Sequence, residues 1–246
     1  MDAKPKMILL DYGHTLIGEP AFNSRRGTEA VMHHAVKNPQ GLSPEQVDKF
    51  FSELFFSVCG QVRKIGAELH NMQCQRFVYE YLQIKFDVPP CEIEQIFWDN
   101  DAPGSIMPYA DRMLAYLYNN GIRTGVISNI SFSGDALTAR LQRLLPGSHF
   151  EFVIASSEYM IRKPSPMLFE LALRKAGIEA DRVWFCGDSP TADIMGAASA
   201  GIYPVWYEDL TMENAFREIN SKEPVCGHLH IHDWRELINI LENMEK

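Results

Sequence analysis

A short, unbroken apolar run, Met7-Ile8-Leu9-Leu10, ends on Asp11, and Gly13 follows two residues later. An apolar run with no polar alternation predicts a strand covered on both faces. Glycine just beyond it lets the chain turn sharply. In an open α/β sheet, ligands gather beyond the carboxyl ends of the strands. Asp11 is therefore predicted where a nucleophile or a metal ligand is presented.

Between residues 18 and 107 the period changes. Phe50, Phe51, Leu54, Phe55 and Val58 recur at helical spacing, as do Phe77, Val78, Tyr81 and Leu82. Ser43-Pro44-Glu45 supplies a capping hydroxyl, a proline in the first turn and an acid, which together predict a helix start. Pro89-Pro90 closes one helix, and residues 91–98 predict another. Several helices without a strand-like run are more than a crossover between parallel strands needs, so this stretch reads as an inserted α-helical cap.

From Pro108 onward, strands and helices alternate. Helices are predicted over 110–120, 135–145, 166–176, 191–200 and 234–244, and strands over 124–127, 152–154, 183–186, 202–206 and 228–231. That order predicts an α/β fold with a doubly wound parallel sheet. Residues 1–17 and 108–246 are assigned to this core, and 18–107 to the cap.

Composition adds bounds to this picture. A chain of 246 residues, 46% hydrophobic and 22% charged, has enough apolar material for a core and a smaller domain. A formal net charge of -9 argues against a nucleic-acid partner, while leaving room for a local cationic pocket. Too few apolar residues precede Asp11 for a secretory or membrane-spanning segment. Five scattered cysteines without a CxxC pair argue against a disulfide framework or a structural zinc site. The expectation is a cytoplasmic protein without a membrane partner, acting as a monomer or homodimer.

The candidate chemistry follows the strands. Ser128-Asn129 comes after the second core strand. Arg162-Lys163-Pro164 comes after the third, and Gly187-Asp188-Ser189-Pro190-Thr191-Ala192-Asp193 after the fourth. In a parallel sheet these points share one edge, so all of them can meet Asp11 in one crevice. Carboxylates, a hydroxyl and a lysine gathered there suit Mg²⁺ and a phosphoryl group, because Mg²⁺ takes oxygen ligands.

This set closely resembles the haloacid dehalogenase (HAD) superfamily of hydrolases, with one motif at Asp11–Thr15, one at Ser128, one at Lys163 and one at Gly187–Asp193. The resemblance implies a Rossmann-like core and a helical cap inserted after the first motif. It implies that Asp11 is the nucleophile, attacking phosphorus to give an aspartyl-phosphate that water then cleaves. Ser128 is expected to hydrogen-bond a non-bridging phosphate oxygen, with the backbone N–H of Asn129 beside it. Lys163 is expected to neutralise charge on the nucleophile and the transferring group. Asp11, Asp188 and the backbone carbonyl of Gly13 are expected to hold Mg²⁺, with Asp193 orienting that shell. The substrate class implied is a small phosphorylated metabolite.

The pattern departs from the family at one point. Phosphatases of this kind carry a second Asp two residues after the nucleophile as general acid and base, and here that position is Gly13. The backbone carbonyl survives, but the proton donor for the leaving oxygen is lost, a loss worth about 10²–10⁴-fold for poor leaving groups. His14 has a suitable ordinary pKa but stands one residue off, so its side chain is expected to point elsewhere. Phosphonatases, which lack this Asp, use a cap lysine instead. Lys37, Lys49, Lys64 and Lys85 are the candidates, and each also reads as a solvated helix lysine. Dehalogenases lack it too, but Gly187-Asp188 keeps the metal-binding form. A catalytically weakened protein that binds a phosphometabolite is a further alternative. Arg25-Arg26 could lend cations to an anionic substrate but read more simply as a solvated helix face. His228, His230 and His232 alternate along one strand face, which could hold a transition metal but reads more simply as an exposed edge strand.

Overall fold

The computed structural model describes residues 4–19, 21–211 and 223–244. Strand β1 (Met7–Leu10) is followed by β2 (Ile17–Gly18), helix α1 (Ser24–Met32), β3 (Ala35–Lys37), α2 (Pro44–Lys64), α3 (Asn71–Tyr81), β4 (Lys85–Phe86), α4 (Pro90–Asp101) and β5 (Ser105–Ile106). The alternating part then runs α5 (Ala110–Asn119), β6 (Arg123–Ser128), α6 (Gly134–Leu144), β7 (Phe150–Ala155), the single turn α7 (Ser156–Tyr159), α8 (Pro166–Ala176), β8 (Val183–Gly187), α9 (Gly196–Ser199), β9 (Tyr203–Tyr207), β10 (Leu229–Ile231) and α10 (Trp234–Asn243).

Six of these strands form one sheet in the order β10-β9-β8-β1-β6-β7, with every pair parallel. β1 lies between β6 and β8, and all four of its residues are fully buried. Ile8 and Leu10 point into a core shared with α5, α6, α10 and the helical insert. Met7 and Leu9 point into a second core under α8 and α9. This two-sided burial is why the strand reads as an unbroken apolar run. The fold is the expected Rossmann-like α/β sheet.

The helices of the insert start where capping chemistry allows. At α2, Ser43 and Gln46 exchange side-chain-to-backbone hydrogen bonds, forming a capping box with Pro44 in the first turn. Helix α8 ends at Gly177, whose φ of +60° is the left-handed cap that glycine adopts without strain.

Two expectations need correcting. The insert carries short strands: β2 pairs antiparallel with β5, and β3 with β4. Strands of two or three residues are too short for a period-2 pattern to register in sequence. The β2–β5 pair joins the two points where the chain leaves and re-enters the sheet layer. The helix expected over 191–200 begins instead as a π-helical turn, Pro190–Met195, before α9. Among the described residues no helix is long and apolar enough to cross a membrane.

Candidate active site

The residues expected to carry catalysis, phosphate and metal stand at or just beyond the carboxyl edge of the sheet, Asp193 in the helical turn after β8. Asp11 leaves β1 with its backbone N–H donated to the Cys186 carbonyl of β8 at 2.9 Å. Lys163 lies in the loop between α7 and α8. Its Nζ stands 2.6 Å from Asp11 Oδ1 and 2.6 Å from Asp193 Oδ1, and donates to the Ile127 carbonyl at 2.9 Å. Lys163 is 2% exposed. Burial alone would push its ammonium pKa down, but the two facing carboxylates outweigh that and hold it above the ordinary lysine value. Burial pushes the Asp193 carboxyl up, with Lys163 opposing.

The loop that carries Lys163 is clamped by Asn129. Asn129 Nδ2 donates to the Lys163 carbonyl at 2.9 Å, and Lys163 N–H donates to Asn129 Oδ1 at 2.7 Å. The Asn129 side chain thus positions the lysine, a task separate from the backbone N–H role expected of it. Ser128, the last residue of β6, is buried and lines the same cleft as Asp11 and Lys163.

The π-helical turn after β8 accounts for the placement of Asp193. The N–H groups of Asp193 and Ile194 both reach the Ser189 carbonyl, at 3.0 and 3.2 Å, and Ser189 N–H donates to Asp193 Oδ2 at 3.0 Å. This widened turn folds the Asp193 side chain back over Gly187, where an added Cβ would lie 2.4 Å from Asp193 Cγ. Glycine is required there by close approach. Asp188 follows Gly187, its carbonyl accepting from Trp206 Nε1 at 3.2 Å. Asp11, Asp188 and Asp193 each offer one carboxylate oxygen, all within 4.8 Å of one another. Three hard oxygen donors so grouped fit Mg²⁺.

Gly13 and His14 line the cleft beside Asp11. A Cβ added at Gly13 meets nothing within 4 Å, so no crowding excludes a larger residue. His14 is buried among the residues that line the cleft, and its Nε2 is shielded from solvent. Its φ of +51° is in the left-handed region that a non-glycine residue seldom adopts.

The insert closes over this edge, leaving a cavity of about 530 Å³. Phe51, Phe55, Phe97 and Asp101 come from the insert side; sequence reasoning missed Asp101, whose polar neighbour Asn100 makes it read as a helix end. The insert is tied to the core through buried Glu19. Glu19 Oε1 accepts from Tyr12 Oη at 2.9 Å, from Trp98 Nε1 at 3.0 Å and from Arg140 Nη2 at 3.0 Å. Arg140 also holds Asp99 at 2.7 Å and donates to the Ala102 carbonyl.

Other candidates take different places. Lys37, Lys49, Lys64 and Lys85 are all exposed, and none lines the cleft. Arg25 pairs with Glu29 and Glu45 on the surface. The arginines that do line the cleft are Arg63 and Arg162, both paired with the buried carboxylate of Glu68, at 3.2 and 2.9 Å. β10 is an edge strand of the described sheet. His230 and His232 meet Glu208 there, at 3.1 and 3.9 Å, while His228 turns to the Cys226 carbonyl.

Comparison with known proteins places this geometry in a family. A phosphoserine phosphatase from Thermus thermophilus is 29% identical over 147 residues, 59% of this chain and 55% of that protein. A phosphoglycolate phosphatase from Yersinia pseudotuberculosis is 34% identical over 138 residues, 55% of this chain and 56% of that protein. The chain thus spans about half the length of these relatives. Among solved structures, an HAD phosphatase from Thermococcus onnurineus superposes with a TM-score of 0.60 at 18% identity, covering 97% of this chain and 98% of that one. A 2-haloacid dehalogenase from Pseudomonas syringae gives 0.61 at 22%, covering 97% and 99%. These likenesses establish the fold. The sequence model of the haloacid dehalogenase-like hydrolases matches residues 16–201, well over half of the chain, and the protein belongs to that family.

Proposed function

We propose that the protein is a Mg²⁺-dependent phosphatase that hydrolyses a small phosphorylated metabolite through an aspartyl-phosphate at Asp11, with residues 18–107 acting as the cap. The observation that carries this reading is the ammonium of Lys163 between Asp11 and Asp193, at 2.6 Å from each. The names of the phosphoserine and phosphoglycolate phosphatase relatives support the substrate class.

With Oδ1 held by Lys163, Asp11 Oδ2 is the oxygen that attacks phosphorus. The P–O bond to the leaving group breaks, and its electron pair leaves on that oxygen, which takes its proton from solvent. Water then attacks phosphorus, the P–Oδ2 bond breaks, and the Asp11 carboxylate returns with inorganic phosphate released. Lys163 balances negative charge on Asp11 and the moving phosphoryl group, and Ser128 donates to a non-bridging oxygen. Asp11, Asp188 and the Gly13 carbonyl would hold Mg²⁺, with Asp193 beside them; the ion when bound supplies charge neutralisation at the phosphoryl oxygens.

Gly13 brings no proton donor, so leaving groups that are already weak bases are expected to react best. The phosphonatase alternative loses support because the four lysines of the insert are exposed and outside the cleft. A binding protein without turnover is the second reading, favoured by Gly13 alone.

The test is phosphate release with Mg²⁺ from esters graded by leaving-group pKa, with Asp11→Asn as control. Release from acyl and aryl phosphates, abolished by Asp11→Asn and by chelation and restored by Mg²⁺, is the expected result. No Asp11-dependent release from any ester would leave the binding reading.

A further inference from the structure

Asp101 ends helix α4 and lines the cleft, yet it is 4% exposed. Its Oδ1 has no hydrogen-bond partner among the described residues. A buried carboxylate oxygen left unsatisfied in a ligand cavity is a position that a ligand donor completes. Phe97 lies one turn earlier on α4, on the same face of the helix as Asp101. Phe51 packs against Phe97 with ring centroids 5.3 Å apart, and Phe55 stacks on Phe51 at 5.6 Å. The cleft therefore holds a carboxylate with aromatic rings beside it.

The charges around Asp101 decide what kind of donor fits. Burial pushes the Asp101 carboxyl up, to about 7, with the charges of Glu19 and of Asp48 on α2 adding to it, while the Asn23 N–H and Arg26 pull the other way. Arg26 is exposed. Arg140, the buried arginine nearby, is already matched by Glu19 and Asp99. The arginines that line the cleft, Arg63 and Arg162, are closed on Glu68. An acceptor with carboxylate neighbours and only an exposed arginine opposing them favours a positively charged donor over a neutral hydroxyl, and aromatic faces favour a cation as well.

We propose that Asp101, with Phe97 and Phe51, receives a cationic amine carried by the leaving group, so that the substrate is an amine-bearing phosphate. This rests on the phosphatase reading for the other end of the same ligand: phosphate at Lys163 and Ser128, amine at Asp101. The binding step needs no covalent change. It carries one proton consequence, since an ammonium beside Asp101 stabilises the ionised carboxylate and displaces its proton to solvent.

The experiment uses two non-hydrolysable ligands of equal length, 3-aminopropylphosphonate and n-butylphosphonate, titrated calorimetrically into the full chain with Mg²⁺ at pH 7. The amine is expected to bind about 10- to 100-fold more tightly, as one charge-assisted hydrogen bond allows. Its binding heat should vary with the ionisation enthalpy of the buffer. In Asp101→Asn the preference should narrow to within about threefold, since the charge is gone. Equal binding of the two ligands by the native chain, or no binding of either, overturns the proposal. So does an unchanged preference in Asp101→Asn. The native comparison decides even if the variant fails to fold. Aryl phosphate hydrolysis, measured alongside in the native chain and in Asp11→Asn, separates the two readings. Asp11-dependent hydrolysis without an amine preference sinks only this inference, while an amine preference without hydrolysis sinks only the phosphatase.

Discussion

Asp193 and Asp101 are both carboxylic acids with almost no exposed surface, and both line the same cleft, one from the core and one from the helical insert. Asp193 has Lys163 at 2.6 Å and a backbone N–H at 3.0 Å. Asp101 Oδ1 has no hydrogen-bond partner among the described residues, and only the Asn23 N–H and the exposed Arg26 draw on its carboxyl. A buried ion without compensation is costly, and one that is paired and hydrogen-bonded is tolerated. The core thus keeps its charges matched before any ligand arrives, which preorganises a reaction centre. The insert leaves one charge unmatched for the ligand to complete. Chemistry and selection are divided between the two sides of the cleft.

The strongest way to break this comparison is to remove the cation from the core. Lys163→Met leaves Asp11 and Asp193 facing each other without their shared ammonium. Phosphate release is expected to fall by about 10³-fold or more, the scale of losing a key electrostatic stabiliser. Chemical denaturation without added metal should show a loss of about 3–5 kcal/mol, as when one partner of a buried pair is removed. Undiminished turnover in this variant would mean that the lysine is structural only. A smaller change in the opposite direction is expected from Gly13→Asp. The open space around position 13 admits the side chain, and the added carboxyl supplies the missing acid. Turnover of alkyl phosphates should rise by about 10²-fold, the low end for general acid catalysis, because no neighbours are arranged to tune it. Aryl phosphates should gain little. Equal gains on both would point to an effect on the metal site instead.

The same division explains what could be read from the sequence. Asp11, Ser128, Lys163 and Asp188 each follow a strand whose apolar run is visible, and a parallel sheet brings strand ends to one edge whatever the loops do. The convergence was therefore legible before any coordinates. Asp193 was legible as a residue, but its π-helical turn was not, because the turn depends on Ser189 and Gly187 closing around that side chain. The insert gave up its helices through periodicity and caps, yet none of its cleft residues. Arg140 meets Glu19 across 121 positions of sequence. Asp101 gains its character from Asp48 and Glu19 on other elements. Such pairings depend on which helix faces lie together, and amphipathic pattern carries no partner information.

The smallest effect sharpens the comparison on the insert side and needs no substrate. The Asp101 carboxyl, near 3.8 when unperturbed, is raised to about 7 in the folded chain by burial and by Glu19 and Asp48. Between those values the folded protein keeps a proton that the unfolded chain has released, so folding stability falls as pH rises through this window. Below about pH 4 both states are protonated and the residue is neutral to stability; above about pH 8 both are ionised and the full penalty applies, at most about 4 kcal/mol for a shift of this size. Asp101→Asn removes the titration but keeps a buried polar group, so roughly 1–2 kcal/mol of relief is expected at pH 8 and none at pH 4. Other titrating groups, Asp193 among them, contribute to both proteins and cancel in the difference. Urea midpoints of the native chain and the variant, measured without ligand at pH 4, 6 and 8, should therefore diverge steadily in the variant's favour. Parallel midpoints across that range would show that Asp101 is matched by a cation in solution, and the contrast between the two walls of the cleft would disappear with it.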